Sequence, residues 1–303
     1  MRTPSILKQT DSTNFRQRLG SGTMLLDGAT GTELERRGIN ISTPLWSARA
    51  ILDAPDVLLQ IHLDYLQAGA EMITANTFRV HQRNLQLEGL GQHAKELVCR
   101  AVEIAQRAIK TAGGNAYVAG CISPLEDSYS PQYTPPVKEL LVEHSLMSQH
   151  LTDCGVDVLL VETMNTIREA IAATKSAVAT GWPTLTSIAC NRNGYLLSGE
   201  LIPDAVQALS ALCPDGILIN CTPAPDLNRL VKVLHANTSL PVGAYGNVGF
   251  RNQNGYWIQT DAVQPEIYAE YAREWRASGA TIIGGCCGTE PAHIAALRKA
   301  LSS

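Results

Sequence analysis

The sequence predicts a single closed (β/α)8 barrel, the TIM-barrel class, on three observations. Short apolar runs alternate with longer amphipathic segments, eight such pairs fill residues 23–301, and no internal repeat, low-complexity tract or linker interrupts them. Apolar strands alternating with helices make a parallel sheet covered on both faces. Eight units in a chain of this length fit a closed barrel better than an open doubly wound sheet.

The first strand is expected at residues 23–27. After a long polar loop, a helix follows over 56–69 with Val57, Leu58, Ile61, Tyr65 and Leu66 at helical spacing. A strand at 71–75 precedes a helix at 92–111, whose Ala94, Leu97, Val98, Ala101, Ile104, Ala105 and Ala108 form one apolar stripe. The third pair occupies 115–120 and 137–154, the fourth 156–162 and 166–180, and the fifth 183–189 and 203–212. The sixth strand at 215–220 leads into a helix at 225–236, and the seventh at 241–245 into a long loop and a helix at 265–278. Residues 280–283 and 291–301 close the series. Residues 1–20 read as a polar, frayed N-terminal extension, and 21–303 as one barrel domain.

Hydrophobic residues make up 45% of the chain and charged residues 17%, which suits a soluble globular protein. The net charge of −4 lacks the basic excess that nucleic-acid binding requires, so nucleic acid is not an expected partner. No apolar stretch reaches the roughly 18 residues of a membrane helix, and no hydrophobic signal segment opens the chain. The eight cysteines form no regular framework, so reduced thiols in a cytoplasmic setting are expected. His62, His81, His93, His144, His150 and His235 read as surface or helix-end residues, and His293 as part of the last helix's first turn. No oligomeric state is assigned.

In such barrels the chemistry collects at the carboxyl ends of the strands. Cys286 and Cys287 lie there, between Gly284-Gly285 and Gly288-Thr289. Adjacent residues hold their Cα atoms about 3.8 Å apart, too close for a relaxed mutual disulfide. Two thiols placed together suit a soft divalent metal instead, zinc above all. Cys221 ends the sixth strand on the same rim, close enough for three sulfurs to share one ion at about 2.3 Å each. Three protein ligands and one open position is the pattern of a catalytic zinc. Cys121 and Cys190 also end strands and are candidates for a fourth ligand, and buried apolar thiols are the alternative for them all.

Asp27 ends the first strand before a glycine-rich bend, where a turn or cap is the competing role. Glu162 ends the apolar run 158–161, where burial makes an ionised carboxylate costly without a cationic partner. Together they suit a substrate ammonium, and exposed backbone N–H groups of the glycine turns suit a substrate carboxylate.

Five segments together resemble the homocysteine S-methyltransferase family, zinc-dependent thiol methylases that include betaine- and S-methylmethionine-dependent enzymes and the homocysteine domain of cobalamin-dependent methionine synthase. They are Asp27-Gly28-Ala29-Thr30-Gly31-Thr32-Glu33-Leu34, Ala75-Asn76-Thr77-Phe78, Val161-Glu162-Thr163, Asn220-Cys221-Thr222 and Gly284-Gly285-Cys286-Cys287-Gly288-Thr289. The resemblance spans residues 23–300. It implies that Cys221, Cys286 and Cys287 bind zinc and serve catalysis, with homocysteine sulfur as the fourth ligand. It implies that Asp27 and Glu162 hold the homocysteine ammonium, that Gly28 and Thr77 lie along the amino acid, and that Trp46 stands near the methyl donor. Asn247, in the motif after the seventh strand, is expected among the substrate-binding residues. Met164-Asn165 and Gly246-Asn247 depart from the stand-alone members, which commonly carry prolines there.

The expected reaction moves a methyl group from a cationic donor to the thiolate of homocysteine, giving methionine. The order of preference for the donor is S-methylmethionine or S-adenosylmethionine, then betaine, with Trp46, Tyr129, Tyr133 or Trp257 as aromatic partners. A corrinoid-dependent transfer would need a partner protein. The rival readings are a non-catalytic zinc-thiolate module closed by Cys121 or Cys190, and a metal-free lyase using Glu162.

Overall fold

The computed structural model describes residues 9–302 apart from 253 and 255. Eight parallel strands frame it: β1 (Met24–Leu25), β2 (Met72–Ala75), β3 (Tyr117–Ile122), β4 (Val158–Met164), β5 (Thr184–Ala189), β6 (Gly216–Pro223), β7 (Val242–Asn247) and β10 (Ala280–Gly285). Between the last two lies an antiparallel hairpin of β8 (Gly249–Arg251) and β9 (Trp257–Gln259). The barrel strands pair in the order β1-β10-β7-β6-β5-β4-β3-β2, and a parallel bridge from Leu26 to Met72 joins the two ends. The expected closed barrel is the observed one.

Successive strand residues point to opposite faces, and the core divides accordingly. In β4, Val158 and Leu160 belong to an inner cluster with Met24, Leu26, Met72, Leu185, Leu218 and Ile282. Leu159 and Val161 belong to an outer cluster under the helices. Burial on both faces explains why these strands read as continuous apolar runs, and each fully buried Leu or Ile contributes about 1.5–3 kcal/mol.

From Gln9 onward the N-terminal extension is ordered rather than frayed. Gln9–Leu19 is a helix, and Phe15, with no exposed surface, joins the inner cluster and meets Tyr117 edge-on at 5.2 Å. Arg18 bonds Glu71 at 2.8 Å and Arg16 bonds Asp215 at 2.6 Å, just ahead of β2 and β6, so the helix closes the amino-terminal mouth. Residues 1–8 of the expected extension lie outside the described residues.

Three other expectations are corrected. Cys99 and Cys154 form a disulfide between the helices Ala94–Thr111 and Val137–Asp153, so not all eight thiols are reduced. His62, His81 and His144 are buried, and burial alone lowers the His62 pKa to about 4. β3 extends to Ile122, which places Cys121 inside the strand. No helix among the described residues is long and apolar enough to cross a membrane.

Candidate active site

The turn after β10 carries Cys286 and Cys287 and is tied to the loop after β1. Thr289 donates its hydroxyl to the Cys286 carbonyl at 2.8 Å and accepts from the Ala29 N–H at 3.2 Å. The Tyr65 hydroxyl donates to the Ala29 carbonyl at 2.9 Å, and the Gly288 N–H to Thr32 Oγ1 at 3.0 Å. Gly288 turns the chain with a φ of 82°, a conformation that favours glycine. A Cβ on Gly28 would lie 2.8 Å from both Thr289 Oγ1 and the Tyr65 ring, so this packing requires glycine there.

Cys221 approaches from β6 in a strained backbone state, with a φ of 53°, and Thr163 on β4 has a φ of 62°. Such positions persist only when their surroundings hold them, and the buried amide of Asn220 does so. Its oxygen accepts from the Thr163 N–H at 3.0 Å and from Ser187 Oγ at 2.8 Å, while its NH2 donates to Thr163 Oγ1 at 2.8 Å.

The result is a cluster in which the sulfurs of Cys221, Cys286 and Cys287 lie within 4.8 Å of one another, with 3.9 Å between Cys221 and Cys287. Asn247 braces it, accepting from the Cys287 N–H at 3.0 Å with its NH2 3.8 Å from Cys221 Sγ. The Tyr129 hydroxyl reaches the same sulfur at 3.1 Å. Hydrogen bonds from the Cys286 and Cys287 thiols, then Tyr129 and Asn247, hold the Cys221 thiol well below the ordinary range. The hydrogen bond to Cys221 and burial hold Cys286 and Cys287 well above it. One thiolate is thus favoured, and all three would ionise together only beside a cation.

Two buried carboxyls stand beside the thiols. Asp27 accepts from the Thr74 N–H at 2.7 Å and from the Thr74 hydroxyl at 3.1 Å, yet burial raises its pKa to about 7, helped by the charge of Glu162. Burial likewise raises Glu162 to about 7, against hydrogen bonds from Cys121 and from the Tyr245 hydroxyl at 3.2 Å. A cation placed beside either carboxyl would favour its ionised form.

Asp27, Gly28, Trp46, Glu162, Cys221, Cys286 and Cys287 line one cavity of about 450 Å³. Thr77 and Asn247 are placed otherwise than expected. Thr77 is fully buried with its hydroxyl on the Cys121 carbonyl at 2.9 Å, and Asn247 acts on the thiol turn; neither lines the cavity. Cys121 faces Glu162 and Cys190 packs in the outer core, so neither joins the three-sulfur group, the sole such cluster among the described residues. Of the aromatic candidates, Trp46 and Tyr129 line the cavity, whereas Tyr133 and Trp257 lie outside it. Sequence reasoning quoted Phe78 in a motif but gave it no role, though it meets Trp46 edge-on at 5.5 Å, and it missed Arg79 and Arg251. Phe78 and Arg79 directly follow the Asn76-Thr77 pair, a signal that the sequence did carry.

The sequence model described as homocysteine S-methyltransferase matches residues 24–301. The chain belongs to the homocysteine S-methyltransferase family. It is 32% identical over 295 residues to the homocysteine S-methyltransferase of Escherichia coli (strain K12), covering 91% of this chain and 94% of that protein. It is 29% identical over 328 residues to the selenocysteine methyltransferase of Astragalus bisulcatus, covering 96% of each. Among solved structures, the metallated form of the homocysteine methyltransferase MmuM from Escherichia coli superposes with a TM-score of 0.82 at 29% identity, covering 94% of this chain and 99% of that one. This homocysteine S-methyltransferase family member is therefore an enzyme, and its thiols, carboxyls and aromatic wall meet in one cavity.

Proposed function

We propose that the protein transfers a methyl group from a cationic donor to the sulfur of homocysteine, with zinc held by Cys221, Cys286 and Cys287. The observation that carries the proposal is the convergence of three thiols and two buried carboxyls on one cavity. The donor set fits the metal: sulfurs bound at ~2.3 Å in a tetrahedron stand about 3.8 Å apart, against 3.9 Å for Cys221 and Cys287. The metallated form of the similar MmuM enzyme supports the same reading. When bound, zinc would supply the positive charge that keeps an added thiol deprotonated at neutral pH.

The chain's own residues do the rest. Asp27 and Glu162 ionise to take the homocysteine ammonium, and the backbone of residues 28–32 takes its carboxylate. This fixes the acceptor sulfur beside the three cysteines. Trp46, Phe78 and Tyr129 present aromatic faces to the donor cation, each worth ~1 kcal/mol or more. In the transfer, the donor's S–CH3 or N–CH3 bond breaks with its electron pair left on the donor, and the acceptor sulfur forms the new bond. Opposite charges cancel as the bond forms, so the transition state carries less charge than the reactants.

S-methylmethionine or S-adenosylmethionine is the preferred donor, with betaine next. The test is a methyl-transfer assay on zinc-quantified protein with the three donors in parallel. Selenocysteine belongs beside homocysteine as an acceptor, because two relatives are named for it. Methionine from one donor, lost together with zinc in Cys286→Ala, is the expected result. No product from any donor at one zinc per chain would contradict the proposal.

A further inference from the structure

The cavity is lined by acids and thiols and also by two arginines, Arg79 and Arg251. Other arginines of the fold are satisfied: Arg37 bonds Glu33 and Asp64 at 2.6 and 2.5 Å, and Arg83 holds Glu126, Glu139 and Glu143 within 2.8 Å. Arg79 differs. Its side chain is 18% exposed and its nearest carboxylate, Asp127, stands at 3.9 Å, beyond hydrogen-bond distance. Asp127 is instead engaged by the Ser130 hydroxyl at 2.6 Å. Arg251 ends β8 as an exposed residue that lines the cavity, and its guanidinium has no hydrogen-bond or ion-pair partner among the described residues. Each guanidinium offers five N–H donors in a planar fork suited to a carboxylate.

We propose that Arg79 and Arg251 bind the carboxylate of a zwitterionic methyl donor and so select donors that carry one. The proposal rests on the methyl-transfer reading above and names the donor class for it. The acceptor's ammonium is taken by Asp27 and Glu162 and its carboxylate by the backbone of residues 28–32, which leaves the two guanidiniums without an acceptor-side partner. A donor must point its methyl-bearing cation at the thiols, past Trp46 and Phe78. Its other end then meets the arginines. A purely cationic donor would be repelled there by like charge, whereas a carboxylate gains charge-assisted hydrogen bonds.

Steady-state methyl transfer to saturating homocysteine, with S-methylmethionine and with trimethylsulfonium, tests this directly, since the second carries the same cationic S–CH3 centre without a carboxylate. The ratio of the two kcat/KM values is the readout. In Arg79→Met and Arg251→Met it should fall by about tenfold or more through a higher KM for S-methylmethionine, while the trimethylsulfonium rate holds or rises and reports that the variants are folded. Lysine at either position should restore part of the ratio. An unchanged ratio, or a rise in the homocysteine KM in its place, would overturn the clamp while leaving the methyl-transfer reading intact. A wild-type protein that methylates homocysteine from no donor would overturn both.

Discussion

The side-chain oxygen of Asn247 accepts the backbone N–H of Cys287 at 3.0 Å, while the amide's NH2 lies 3.8 Å from the sulfur of Cys221. One side chain thus fixes the spacing of two sulfurs that come from β6 and from the turn after β10. Groups that orient metal ligands in this way typically matter about 10- to 100-fold in metal affinity. Asn247→Ala should weaken zinc binding by that factor, read by competition with a chromogenic chelator. Affinity within twofold of the wild type would show that the thiols hold their spacing unaided.

The carboxyls of Asp27 and Glu162 give a pH dependence with opposite signs for folding and for binding. Both pKa values rise to about 7 in the folded protein, from ordinary values of 3.8 and 4.5. Each group's contribution to stability is therefore fully present below its unfolded value and is lost as the pH rises through about 7. For Asp27 the change is on the order of 4 kcal/mol. Urea unfolding should find the metal-free wild type losing stability relative to Asp27→Asn between about pH 4 and 7, and no further above it.

Binding runs the other way, because an ammonium needs the ionised carboxyls. The homocysteine KM should rise as the pH falls below about 7, by up to about tenfold per unit for one group. Calorimetry at pH 6 in two buffers of different protonation enthalpy should count more protons released by the wild type than by Asp27→Asn. Equal counts would mean that Asp27 does not meet the ammonium.

Gly31 stands under the Trp46 indole so closely that an added Cβ would lie 2.3 Å from the ring atom Cζ2. Gly31→Ala should push the indole out of place and raise the donor KM several-fold, with the homocysteine KM nearly unchanged. Varying both substrates in the steady state separates the two. A rise confined to the homocysteine KM would move Trp46 away from the donor.

Phe15 fills the opposite end of the barrel, and Phe15→Ala should cost about 3–5 kcal/mol of stability by leaving a cavity in the inner core. The turnover of the folded fraction should stay at the wild-type value, since the thiols lie at the carboxyl ends of the strands. Thermal melting and an assay at low temperature check the two parts separately.

What the sequence revealed and what it hid differ in kind. Strands such as Thr184–Ala189 are buried on both faces, so they stand out as apolar runs whatever surrounds them. The adjacent Cys286 and Cys287 announced themselves because two neighbouring thiols have few other uses. The helix Gln9–Leu19 was hidden because its sequence is polar apart from Phe15 and Leu19, both of which join the inner core. The bond from Asn220 to Thr163 spans 57 residues, and the Cys99–Cys154 disulfide 55, so neither follows from local pattern. Asn247 and Thr77 were legible as members of motifs, but which atoms they hold depends on backbone groups that only the folded barrel brings near them.

The proposed function requires three cysteine sulfurs and two carboxyls to form a site open to one further thiol. X-ray absorption at the zinc edge tests it most directly, on the zinc-loaded protein before and after homocysteine is added. Three sulfur ligands should rise to four in the wild type, and the count should stay at three in a protein carrying both Asp27→Asn and Glu162→Gln. Four sulfurs before homocysteine is added, or no sulfur gained by the wild type, would contradict it.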